Sequence, residues 1–180
     1  MKPPLGNFAE AWPAIDRPDL VGEPVLKALS AWPGGPEVFV VDTDPDLADT
    51  ANFCAAYDVP LEASANCVVV AGKRAGEISY AACVVLATTR ADVNGMVRKH
   101  LDARKASFAS TDTAVELTGM EYGGITPIGL PPEWPVLVDE AVAQTPYVII
   151  GSGRRRGKLL LAGKVLAGVP GVQVFAGLGQ

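Results

Sequence analysis

Thr118 to Pro132, TGMEYGGITPIGLPP, is rich in residues that shape backbone. Paired glycines, Gly123 and Gly124, stand close to Pro127, Gly129, Pro131 and Pro132. Glycine permits positive φ and close approach by a partner, whereas proline fixes φ and removes a donor. A loop with both is shaped without being mobile, and Met120, Tyr122, Ile125, Ile128 and Leu130 give it apolar side chains to pack down. Disordered segments lack such residues, so a long loop of this composition reads as functional. A second stretch, Gly151-Ser152-Gly153, ends an apolar run and precedes Arg154-Arg155-Arg156 and Lys158. Its backbone N–H groups could face a ligand, with cations beside them. It is not a P-loop, because Ser152 stands where the first glycine belongs and Leu159 where a metal-binding hydroxyl belongs. It is not a dinucleotide fingerprint either, because Arg156 occupies the third glycine position. A tight turn with a solvated basic tip is a fair competitor.

Side-chain chemistry is otherwise sparse. His100 is the only histidine, which removes multi-histidine metal sites and leaves any Ser-His or Cys-His pair dependent on it. Cys54, Cys67 and Cys83 form no CxxC pair and read as small buried hydrophobes. No metal and no cofactor is expected.

The chain has 180 residues, 49% of them hydrophobic and 19% charged, enough for one domain with a sizeable core. No apolar run reaches the ~18 residues of a membrane span. The N-terminus lacks a secretory layout, so a cytoplasmic protein is expected. The net charge of −5 is uneven: eleven acidic and three basic residues precede Asn66, and nine acidic and twelve basic follow from it. Overall acidity does not favour nucleic acid. The basic residues nevertheless cluster at Lys73-Arg74, at Arg98-Lys99 with Arg104-Lys105, and at Arg154 to Lys158. Their convergence on one face would make a phosphate footprint, although separate solvated surfaces are the simpler expectation.

The elements that must position these residues follow from periodicity. Residues 1–20 are expected to be an arm packed through Leu5, Phe8 and Trp12, and 21–180 a single domain. The spacing predicts a helix over 23–32, a strand over 38–41, and a helix capped by Asp44 that ends before Pro60. Continuous β-branched runs predict two buried strands, around Val68–Val70 and over 79–88, joined through 72–77. Further predictions are a helix from Asp92 to Asp102, a strand at 105–109, and a helix to Leu117 ended by Gly119. Strands at 136–138, 147–150, 159–161 and 172–175 and short helices at 139–143 and 163–167 complete the chain. Irregular alternation makes this an α/β (α+β) domain with a mixed sheet.

The order TGMEYGGITPIGLP, VLVDEAV, YVIIGSGRRRGKLLL resembles the YbaK/prolyl-tRNA-synthetase-associated family of aminoacyl-tRNA editing domains. The matching signatures are a G-x-x-x-P loop from Gly123 to Pro127, a downstream Asp139, and the Gly151-Ser152-Gly153 turn, over roughly residues 45–180. The resemblance implies a strongly curved mixed sheet flanked by helices, with a pocket between sheet and loop. It implies metal-independent hydrolysis of the ester joining a wrongly attached amino acid to the tRNA 3′ ribose, with the aminoacylated 3′ end as partner. Catalytic candidates are then Gly123, Gly124, Thr126, Pro127, Gly151, Ser152 and Gly153, whose backbone donors could meet a developing oxyanion. Substrate-binding candidates are Ala65, Asn66, Ile125, Asp139, Arg154, Lys73 and Lys105. A homodimer is left open. One departure matters: the family carries a lysine where Ala65 stands, followed here by Asn66. Its loss would silence catalysis, leaving a binder of tRNA or an aminoacyl-adenosine-like molecule, or would be offset by Lys73, Lys105 or Arg154.

Overall fold

Val68-Val69-Val70 and Cys83-Val84-Val85 nucleate the longest pairing in the protein, whose computed structural model describes residues 1–180. Strand β1 (Ala11–Pro13), helix α1 (Glu23–Ala31), β2 (Phe39–Val41) and α2 (Thr50–Tyr57) lead to the long hairpin of β3 (Ala65–Arg74) and β4 (Glu77–Leu86). Then come α3 (Arg98–His100), β5 (Lys105–Phe108), α4 (Thr111–Thr118), β6 (Val136–Asp139), α5 (Glu140–Ala143), β7 (Val148–Gly151), β8 (Lys158–Leu161), α6 (Gly163–Ala167) and β9 (Val172–Phe175). The hairpin runs in unbroken register from Ala65 opposite Leu86 to Arg74 opposite Glu77. Only Ala75 and Gly76 form its turn, with φ of 51° and 81°. Two successive positive φ values match the right-handed twist of a hairpin, so the connection is shorter than the 72–77 stretch expected.

The architecture is mixed α/β, with its strands divided between two sheets. One has the order β5-β3-β4-β6-β9, antiparallel across β5, β3 and β4 and parallel across β4, β6 and β9. The other, β1-β2-β8-β7, is antiparallel throughout. A single parallel bridge, Ser64 to Ile149, ties the start of β3 to β7. The largest core cluster lies between the sheets and α1, with Val25, Leu29, Ile150, Leu159 and Leu161 among its buried residues. A second, around Val70, Cys83 and Val97, fills the other face of the larger sheet.

Two helices differ from expectation for local reasons. Asp44 does cap a turn, taking the Asp46 N–H, but that turn is a 3-10 segment, Pro45–Leu47. Asp49 then starts α2 by accepting from the Asn52 N–H, because a second carboxylate competes for the next orphan donors. The helix expected from Asp92 opens as a π turn, Val93–Val97, since both Asp92 oxygens take N–H groups, of Gly95 and Met96. The N-terminal segment is woven into the fold: β1 edges the smaller sheet, Leu20 and Val21 are fully buried, and Phe8 stacks on Tyr57. No helix is long and apolar enough to cross a membrane.

Candidate functional site

Helix α4 starts under Ser110, whose hydroxyl accepts from Thr113, and ends at Gly119 in the left-handed region (φ 69°). It thereby delivers the glycine–proline loop to the start of β3. The loop is fixed by backbone bonds to the β7–β8 connection. The Glu121 N–H donates to Gly153 O (3.0 Å) and the Gly153 N–H to Gly124 O (2.7 Å). Packing is tight enough that a Cβ on Gly124 would lie 2.4 Å from Arg154 O. One on Gly151 would lie 2.6 Å from the Gly124 and Ile125 carbonyls. Glycine is required here because two backbones touch.

Between this loop, the start of α2, the first half of β3 and the end of β5 lies a cavity of about 460 Å³. Asn66, Cys67, Phe108, Tyr122, Gly123 and Lys158 are among its lining residues. Phe108 and Tyr122 are each 61% exposed where they line the cavity. The Thr50 hydroxyl donates to Asn66 Oδ1 (2.8 Å). The Asn66 amide N–H groups make no hydrogen bond to a protein acceptor. Burial pushes the Cys67 thiol up, so this cavity residue is not a thiolate nucleophile. Cys83 is pushed up to about 12 by the same cause.

Basic residues 154–158 separate into arginines whose guanidiniums are taken by carbonyls or a carboxylate and a lysine buried with little to accept from it. Arg154 donates from Nε to Val21 O and from its terminal nitrogen to Pro18 O. Arg155 reaches Pro45 O (3.0 Å) and lies over the Tyr122 ring. Arg156 forms a two-pronged pair with Asp42 at 2.8 and 2.7 Å. Lys158, at the head of β8, is 9% exposed and has no carboxylate within ion-pair distance. Its ammonium has one weak acceptor, Gly123 O at 3.4 Å, and lies 5.5 Å from the Phe53 ring. Burial lowers its pKa below the ordinary lysine value.

Of the residues singled out by sequence, Ala65, Asn66, Gly123, Ile125 and Gly151 line the cavity. Gly124 is buried against Arg154. Thr126 and Pro127 are buried without lining the cavity, and the Thr126 hydroxyl has no partner. The Ser152 hydroxyl donates to Gly157 O (3.1 Å), and the Gly153 N–H is taken by Gly124 O, so neither is a free donor. Asp139 is buried at the end of β6, where its carboxylate faces the Gly179 backbone and not the cavity.

Lys73 and Lys105 pair across β3 and β5. Eight residues of strand separate Lys73 from Ala65, about 26 Å, and neither lysine lines the cavity. They gather instead with Arg98 and Arg104 in an exposed hollow at the far end of the hairpin. Two of the three basic clusters therefore converge, and the third does not. Sequence reasoning counted Lys158 only within a basic cluster, not as a site residue, and passed over Phe108 and Thr50. The signal for Lys158 was available: a lysine abutting Leu159-Leu160-Leu161, a run too apolar for a solvated strand.

Residues 44–168 match the model of a family described as the aminoacyl-tRNA editing domain. A solved structure of a proposed trans-editing enzyme for prolyl-tRNA synthetase is similar with a TM-score of 0.73 at 22% identity, covering 94% of this chain and 98% of its own. A protein used in grafting epitopes onto scaffolds gives 0.74 at 21%, over 88% and 97%. A protein described only as hypothetical gives 0.73 at 25%, over 88% and 100%. Likeness at this level establishes fold and leaves chemistry to the site. No curated protein matches the sequence significantly.

Proposed function

Since this chain belongs to the aminoacyl-tRNA editing domain family, we propose that it is a deacylase, hydrolysing the ester between a mismatched amino acid and the 3′ ribose of tRNA. The observation that carries this reading is the cavity walled by the glycine–proline loop and lined by a buried cation, Lys158, and the Asn66 amide. Water adds to the ester carbonyl carbon and the bond to the ribose oxygen breaks. One proton of the water passes to that oxygen and the other to solvent, releasing the amino acid as carboxylate and a tRNA with a free hydroxyl. Negative charge on the carbonyl oxygen is the feature of this path that fixed donors stabilise. The reading needs no protein nucleophile, in keeping with the raised Cys67 thiol. The proposed path also calls on no metal.

The rim supports a nucleic-acid partner. Bases stack on exposed aromatic side chains, and Phe108 and Tyr122, the latter with Arg155 over its ring, stand beside the opening. Strand β5 runs from Phe108 back to Lys105, joining the rim to the basic hollow. An acceptor strand lying along β5 would meet stacking first and phosphate-binding cations next. Purified protein should release amino acid from at least one member of a panel of mischarged tRNAs and spare the matched ones. Silence across the panel at high enzyme concentration would remove the deacylase. Ala65 keeps one other reading open, a binder of the 3′ end without turnover, which such silence together with salt-sensitive tRNA binding would favour.

A further inference from the structure

An ammonium in water is surrounded by oxygen acceptors, and one removed from water needs equivalents. Lys158 has lost nearly all its water and gained one carbonyl at 3.4 Å. The charges around it do not compensate. Arg155 is a second cation on the same side. Cys54 beside it is held neutral, since burial raises its thiol. Asp49 lines the cavity, but its carboxylate accepts the Asn52 N–H and makes no ion pair with Lys158. Buried cations are ordinarily paired, because the unpaired state is costly. A fold that keeps one unpaired against an open cavity has left the counter-charge to a ligand.

We propose that Lys158 is the substrate-binding cation of this cavity, and that the cavity takes a ligand bearing a negatively charged oxygen, received by the Lys158 ammonium. Only the ligand's identity rests on the editing reading. At an aminoacylated 3′ end that chemistry has two sources, the phosphodiester preceding the terminal adenosine and the ester oxygen as it becomes an oxyanion. The same charge repels the α-ammonium of the aminoacyl group. The ester is thus bound in one polarity, with its amine directed away from Lys158. Asn66, whose amide N–H groups have no protein acceptor, also lines the cavity and is a second contact for the oxygen. Neither residue has to move for this: β8 is held on both sides, by Gly151 of β7 and Val41 of β2.

The test compares the wild type with Lys158→Met, Lys158→Arg and, as a control on the exposed side of α1, Lys27→Met. Calorimetric titration with adenosine 5′-monophosphate and with adenosine reads binding without turnover. If the phosphate is the group received, wild type prefers the monophosphate. Lys158→Met then lowers its affinity about 10- to 100-fold, the worth of a charge-assisted hydrogen bond. Lys158→Arg restores part of the loss, and Lys27→Met changes nothing. If the oxyanion is received, the two ligands bind alike. Lys158→Met then lowers kcat for deacylation by ~10²–10³-fold with KM unchanged. Thermal unfolding of Lys158→Met should be no earlier than wild type, because no anion is orphaned.

Unaltered nucleotide binding in Lys158→Met, together with unaltered deacylation, would overturn the proposal and leave editing standing. Wild type that cleaves no mischarged tRNA, yet binds the monophosphate through Lys158, would remove editing and keep the anion site. Unfolding of Lys158→Met well below wild type, with Lys158→Arg stable but no better a binder, would make Lys158 a structural residue and also overturn the proposal.

Discussion

Both ends of the β3–β4 hairpin are bordered by cations without enough anions, and they differ in solvent. At the far end Lys73, Arg74, Arg104 and Lys105 are all exposed. Water screens them from one another, and the only nearby ion pair, Arg74 with Asp102, is loose at 3.7 Å and exposed. At the near end Lys158 is buried and alone. A solvated cluster attracts phosphate weakly, over distance and with strong salt dependence. A desolvated cation acts at contact range and costs stability until a ligand arrives. The same side-chain chemistry therefore suits docking at one end and positioning at the other.

The strongest way to break this comparison is to move the buried charge between strands. Ala65→Lys in a Lys158→Met background puts an ammonium back into the cavity from β3, and we expect it to recover at least tenfold of the activity that Lys158→Met removes. Ala65→Lys alone adds a second unpaired buried cation and should destabilise by several kcal/mol, read by urea unfolding. A double variant as inactive as Lys158→Met would show that direction of approach matters as much as charge.

Glycine substitutions sharpen the comparison through packing. Gly151→Ala, against two carbonyls at 2.6 Å, should cost about 1–3 kcal/mol. For a chain of this size that is a fall of about 2–12 °C in Tm. Gly76→Ala at the hairpin turn meets no atom within 4 Å and carries only the strain of φ 81°, of order 1 kcal/mol. Equal losses at the two sites would mean that the loop gives way more readily than its packing implies.

Charge removal at the far end should be gentler. Lys73→Gln with Lys105→Gln should leave Tm and the cleavage of a short aminoacylated oligonucleotide unchanged. Affinity for full-length tRNA should fall, and the slope of log K against log salt should flatten by about 0.7–0.9 for each phosphate no longer neutralised. An unchanged slope would detach this hollow from tRNA.

Smallest is the Asp42–Arg156 pair, where the Arg156 guanidinium holds the Asp42 carboxyl below its ordinary value. A depressed carboxylate stabilises the fold above its unfolded pKa, and that contribution fades as pH falls through the folded one. Because both side chains are substantially exposed, Asp42→Asn should shift Tm only slightly at neutral pH and not at all in strong acid.

Much of the scaffold was legible because local rules wrote it. Ser110 and Gly119 bracket α4 as caps do, and the β-branched runs became the central hairpin. Asp44 and Asp92 were read correctly as caps, but their neighbours turned the expected α turns into 3-10 and π turns. That competition for donors is decided within a single turn and leaves no periodic trace. In the site, the loop and Gly151 were legible because close backbone contact demands glycine. Arg154 was not, because its partners are carbonyls more than a hundred residues away in sequence.

The sequence by itself determined the family, the loop, the buried strands and the absence of lysine at Ala65, since these reside in residue type and order. Only the tertiary structure decided which cation enters the cavity. Strand β8 lies between β2 and β7, and β7 is bridged to the start of β3. That pairing sets Lys158 beside the wall to which Ala65 belongs, while Lys73, on the same strand as Ala65, is carried away by the rise of the strand. Burial then distinguishes a working charge from a solvated one, and burial depends on the assembled fold.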